Sequence, residues 1–208
     1  MTVLTKTFKE PPFCEKEILR YAGCREASDD VAELMNSCIE EMRGRLTYKV
    51  CYCELGVKVN DGVCDFEVFC VKSCDLARSL SNCDRVVLFG ATVGVELDRL
   101  IAKYGRISPS RALMLQAIGA ERIEALCDAF CSEIGCGVRF SPGYGDLPLD
   151  TQRKIFDLLD CGKRIGLTLN DSLVMSPSKS VTAFAIKGEK HNKCTTCKKT
   201  NCAYRGAI

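Results

Sequence analysis

The stretch RFSPGYGDLPL, residues 139–149, gathers the side chains best suited to hold a small ligand. Arg139 is a permanent cation whose planar fork matches a carboxylate or a phosphate. Pro142 fixes its own φ, and Gly143 and Gly145 reach backbone angles closed to other residues. The turn is therefore stiff, and its amides can approach a ligand with no Cβ in the way. Tyr144 adds a ring for stacking and a hydroxyl for hydrogen bonding. Together these suit a small ligand with an acidic group and a flat ring. The plainer alternative is a surface turn with Arg139 solvated or paired to a nearby acid, because Pro-Gly turns are common.

A second group lies at the C-terminus. HNKCTTCKKTNC sets Cys194, Cys197 and Cys202 in a Cys-x-x-Cys-x-x-x-x-Cys array, with His191 three residues upstream. Three thiolates and an imidazole can close a tetrahedral zinc site. Three or four thiolates can hold an iron–sulfur cluster. Cys194 and Cys197 alone can form a redox dithiol. The bland alternative is a basic tail, since Lys187, Lys190, Lys193, Lys198 and Lys199 surround the array; the regular spacing favours a metal or redox site.

The totals narrow the function classes. The chain has 208 residues, 47% hydrophobic and 27% charged, with a net charge of +2. That balance gives a core of useful size but no electrostatic footprint for nucleic acid or an anionic membrane. No apolar run approaches the roughly 20 residues of a membrane helix. MTVLTKTFKEPPF has no apolar signal core, which leads to an expectation of a soluble, cytoplasmic protein. The 16 cysteines fall mostly where a small hydrophobe belongs, so most read as core thiols rather than a disulfide framework.

The elements that must position these residues follow from periodicity. Residues 14–22 read as a short helix, and 29–43 as the clearest one. Ser28 is its N-cap, Asp29 and Asp30 sit at the positive end of the dipole, and Val31, Leu34, Met35, Cys38, Ile39 and Met42 form one stripe that ends at Gly44. Residues 46–53 and 63–69 read as strands joined through Asn60-Asp61-Gly62. Residues 73–81 look helical, 85–92 form a buried strand, and 95–104 a helix. A long helical region covers 109–134, with Gly119 as a weak point. A helix runs from near Asp150 to about Cys161, broken by Gly162 and Gly166, and 167–170 and 180–188 close the domain as strands. Hairpin-joined strand pairs among helices favour an α+β domain with a largely antiparallel sheet over a doubly wound one. The composition changes after Gly188, dividing the chain into a domain at 1–188 and a Cys-rich tail at 189–208.

RFSPGYG resembles the Arg-x-x-Pro-Gly-Tyr motif of the activation domain of cobalamin-dependent methionine synthase, a domain that binds S-adenosylmethionine. VVLFGATVGVELDRLIAKY, ALMLQAIGAERIEALCDAF, SLVMSPSKSVTAF and EILRYAG are similar to further segments of that domain and of its small stand-alone relatives, so the resemblance covers nearly the whole chain. It implies one α+β domain with a twisted, largely antiparallel sheet flanked by helices. It also implies that Arg139 holds the ligand carboxylate, that Pro142, Gly143 and Tyr144 lie against the rest of the ligand, and that Glu124, in EAL, touches it. An N-terminal aspartate of the family has no counterpart.

The implied role is that of an activation subunit supporting reductive methylation of cobalamin. No Asp-x-His-x-x-Gly corrinoid motif occurs and His191 is the sole histidine, so the corrinoid is expected on a partner methyltransferase, served in trans, with a flavodoxin or ferredoxin as electron donor. The competing readings are a corrinoid-protein interaction module without the ligand and a redox or iron–sulfur protein whose function lies in the tail.

Overall fold

The computed structural model describes residues 1–187. The array of His191, Cys194, Cys197 and Cys202, and the boundary at 188, lie outside the described residues.

The main sheet is built from the five longest strands. It comprises β1 (Leu4–Phe8), β2 (Tyr48–Gly56), β6 (Arg85–Thr92), β7 (Cys136–Phe140) and β10 (Ser180–Lys187). The order is β1-β2-β6-β10-β7, and every pairing is antiparallel. Central β6 is buried on both faces, so alternation sends its side chains into two cores. Val87, Phe89 and Ala91 enter one core, and Val86 and Leu88 the other.

Four helices cover the first face: α1 (Glu15–Tyr21), α2 (Asp29–Met42), α4 (Glu96–Ile107) and α5 (Pro109–Glu133). The second face is covered by α3 (Cys74–Ser79), α6 (Thr151–Leu159) and α7 (Cys161–Ile165), together with a small antiparallel sheet of β3 (Lys58–Asn60), β4 (Val63–Asp65) and β5 (Cys70–Lys72). A two-stranded ribbon, β8 (Thr168–Leu169) with β9 (Met175–Ser176), completes the described chain. The expected α+β class with a largely antiparallel, helix-flanked sheet is what is found.

Several local expectations need correction. The hairpin-joined pairs are absent from the main sheet, whose strands are mostly separated by helices in sequence. Residues 46–53 and 63–69 do not pair with each other. The first falls mostly in β2, between β1 and β6, while the second holds only β4, leaves the strand at 66–69, and is followed by β5 from Cys70, which pairs back onto β4. Strand β1 gave no sequence signal. Strand 167–170 pairs with β9 and does not join the main sheet. The break after α6 falls at Asp160, in the left-handed region, with Gly162 inside α7 and Gly166 ending it. Ser28 stands at the N-cap of α2, but its side chain makes no cap bond.

Gly119 is no weak point. α5 runs through it, and a Cβ there would collide with Leu97 and press on Lys179. The absent side chain lets α4 and the segment before β10 close onto α5. Most of the described cysteines behave as core residues: Cys38, Cys51, Cys53, Cys64, Cys127, Cys131, Cys136 and Cys161 are buried.

Candidate functional site

The site begins on β7, a strand at the edge of the main sheet. Its register sets Arg139 opposite Ala185 of β10, on the face covered by α5. Glu124 and Asp128 stand four residues apart on α5, one turn above the other, so both carboxylates reach the same place. Arg139 Nη2 donates to Glu124 Oε2 at 2.6 Å, and Nη1 donates to Asp128 Oδ1 at 2.6 Å. The arginine side chain is 22% exposed, whereas Glu124 and Asp128 are 46% and 54% exposed. Burial penalises the cation, but Cys127, Glu124 and Asp128 outweigh that and keep its pKa raised. Arg139 is therefore a fixed positive charge under a rim of two solvated carboxylates.

Helix α1 packs against α5 nearby. Burial, and then the charge of Glu124, push the Tyr21 phenol above its ordinary pKa. Arg20 lies over the Tyr21 ring, 4.2 Å from its centroid. Its Nε and Nη2 donate to Glu17 Oε2 at 2.8 and 2.7 Å. Its Nη1 is buried with no acceptor among the described residues. Charges of alternating sign thus run from Glu17 through Arg20 and Glu124 to Arg139 and Asp128.

The turn follows directly after β7. Pro142 is buried, and Gly143 and Gly145 have φ of +86° and +54°. Three backbone bonds close it: Gly143 N–H to Leu147 O at 2.9 Å, Tyr144 N–H to Ser141 O at 3.2 Å, and Leu147 N–H to Tyr144 O at 3.0 Å. Leu147 is buried and anchors the far end in the second core. Tyr144 projects, 69% exposed. Asp146 reaches across to α3 and accepts from Ser73 Oγ at 2.5 Å, Cys74 N–H at 2.7 Å and Asp75 N–H at 3.1 Å.

Arg139 and Glu124, expected from sequence, are thus brought into direct contact, and Pro142, Gly143 and Tyr144 share the adjoining turn. Arg139 is also paired to nearby acids, as the plainer reading of the motif anticipated. Sequence reasoning missed Asp128, Asp146, Arg20 and Tyr21. The spacing of Glu124 and Asp128 on one helix face was a usable signal for the first; the others depend on tertiary contacts. Among the described residues no group of three or more metal-ligating side chains occurs, and no helix is long and apolar enough to cross a membrane. Two open clefts lie elsewhere. One, of about 510 Å³, is bounded by Pro11, Phe13, Ile39 and Arg43; the other, of about 370 Å³, by Arg153, Phe156 and Leu169.

Parts of the chain resemble known proteins. Residues 127–202 match the family model for the activation domain of vitamin B12-dependent methionine synthase. That range holds Asp128, Arg139 and the whole turn, and Glu124 lies three residues before it. A stretch of 119 residues, 54% of this chain, is 35% identical to a methionine synthase from Mycobacterium tuberculosis, of whose length it spans 10%. The fold is similar to the crystal structure of the MetH reactivation domain bound to AdoHcy. There the TM-score is 0.67 at 14% sequence identity, over 92% of this chain and 80% of that one.

Proposed function

We propose, from the premise that this chain is a relative of the activation domain of vitamin B12-dependent methionine synthase, that it binds S-adenosylmethionine and presents its methyl group to a corrinoid carried by a partner methyltransferase. The observation that carries this reading is the Arg139–Glu124 contact beside the Pro142–Gly143–Tyr144 turn. The amino-acid end of S-adenosylmethionine is a zwitterion, and this pair is its mirror. The Arg139 fork takes the ligand carboxylate in place of Asp128, a charge-assisted exchange of one carboxylate for another. Glu124 then faces the ligand ammonium. The two exposed acids also favour a sulfonium cation nearby.

The protein contributes no base, because a sulfonium methyl is already activated by its own charge. The reduced corrinoid supplies the nucleophile. The chain's own part is to fix the donor in orientation and proximity at an open face, where Tyr144 stands exposed for a partner to approach. A low-potential flavodoxin or ferredoxin as donor, action in trans, and a cytoplasmic location belong to the same proposal.

Titration calorimetry with AdoHcy and S-adenosylmethionine tests it. The wild-type protein is expected to bind both, and Arg139→Ala to weaken binding by about 10- to 100-fold, the range for losing a hydrogen bond to a charged group. No heat at millimolar ligand would remove the ligand from the account. Retained binding to a corrinoid protein in that case would favour the interaction-module reading.

The tail carries its own proposal. His191, Cys194, Cys197 and Cys202 have the spacing of a zinc site, an iron–sulfur site or a redox dithiol, and the family match runs through residue 202. Metal analysis and the visible spectrum of anaerobically purified protein decide among these. Bound zinc without colour means the first, a brown chromophore the second, and neither leaves the dithiol.

A further inference from the structure

The turn at 141–147 has few supports of its own. Gly143 and Gly145 both sit in the left-handed region, where glycine is easily accommodated but loses the most chain entropy on ordering. Its three internal backbone bonds are those of an ordinary tight loop. Asp146 supplies what they do not. It lies within the turn, and its carboxylate spans to an element 73 residues away in sequence.

Both oxygens are used there. Oδ2 accepts from Cys74 N–H, while Oδ1 accepts from Ser73 Oγ–H and Asp75 N–H. Ser73 is almost fully buried, and its Oγ accepts in turn from Leu76 N–H at 3.1 Å. The first three amides of α3 are therefore satisfied by one carboxylate and the serine it holds. The contact is close along its length, since a Cβ at Gly145 would collide with the Asp75 carboxylate. Ser73 N–H donates to Gly62 O at 2.9 Å, which ties the same point to the β3–β4 connection.

We propose that Asp146 is a positioning residue for the ligand-binding turn: by clamping the turn onto Ser73 and the start of α3, it holds Gly143 and Tyr144 in place relative to Arg139 without touching the ligand. The inference rests on the reading that this turn contacts S-adenosylmethionine. α3 and the small sheet are then the back wall of the site, although neither carries a ligand contact.

The test uses the full chain, with AdoHcy as probe, at a temperature where circular dichroism shows each variant fully folded. Asp146→Asn keeps the shape but turns an amide N–H₂ toward one of the donors. It is expected to raise the AdoHcy Kd by about 10-fold, as for a lost hydrogen bond to a charged group, and to speed hydrogen exchange at the Gly143, Tyr144 and Gly145 amides. Ser73→Ala removes one of the three bonds and is expected to cost about 3-fold; it carries the test should Asp146→Asn not fold. If Asp146 only capped α3, the Cys74, Asp75 and Leu76 amides would exchange faster while the Kd stayed at the wild-type value. That result, with Arg139→Ala still weakening binding, overturns the positioning role and leaves the functional reading intact. If the wild-type protein bound no AdoHcy, the functional reading would fail first. Turn amides that exchange at the wild-type rate in Asp146→Asn would then overturn the clamp as well.

Discussion

Two arginines stand near the same stretch of α5 and meet opposite fates. Arg122 is wholly enclosed. It donates to Pro11 O at 2.6 Å and Pro12 O at 2.7 Å, pairs with Glu121 through Nε and Nη2, and lies 3.8 Å from the Phe13 ring centroid. Glu121 is buried too, and accepts from Cys14 N–H. Every neighbour belongs to the chain, and the cluster nails the segment between β1 and α1 to the helix. Arg139 is held by two carboxylates that face water and can leave at little cost. An acid–arginine pair can open to a ligand only where one partner can be exchanged. Exposure of that partner, more than the pair itself, separates the two cases.

That contrast can be broken by substitution. Arg122→Ala leaves Glu121 as an uncompensated buried charge and is expected to destabilise the fold by about 3–5 kcal/mol, read by urea unfolding. Arg139→Ala, by the same measurement, is expected to cost no more than about 1 kcal/mol per pair lost, because solvent screens both partners. Equal losses at the two sites would erase the distinction.

Acid sharpens it next. The hydrogen bond from Ser73, followed by the Asp75 and Cys74 amides, holds the Asp146 carboxyl below its ordinary value of 3.8. A carboxyl depressed on folding contributes stability above its unfolded pKa and loses it as pH falls through the folded one. Protection of the Gly143 and Gly145 amides is thus expected to persist unchanged down to about pH 4, the ordinary aspartate range, and to collapse below it. A loss near neutrality would mean that some other group holds the turn.

The smallest effect lies at Tyr21. Burial dominates its raised pKa and Glu124 adds to it. Glu124→Gln is expected to lower the phenol pKa while leaving it above the ordinary value, read by ultraviolet titration against Tyr21→Phe. No movement would place Glu124 too far from α1 to share a site with it.

The long helices and the central strand were legible in sequence because their periods are strong and uninterrupted. Val31 to Met42 and Val86 to Ala91 are examples. The turn was legible because proline and glycine state its backbone needs directly. β7 was not, since a five-residue strand with a glycine second shows too little alternation to stand out. Its register with β10 is what carries Arg139 to α5, so the meeting with Asp128 was hidden with it. The bond from Asp146 to Ser73 had no local signature at all, being fixed only when α3 and the turn are both packed onto the second face of the sheet.

The most direct test of the account is the structure of this chain with AdoHcy bound. The Arg139 guanidinium is expected to have released Asp128 for the ligand carboxylate, with Glu124 facing the ligand ammonium and the Gly143–Tyr144 backbone against the rest of the molecule. AdoHcy found elsewhere, with Arg139 still bridging Glu124 and Asp128, would contradict it.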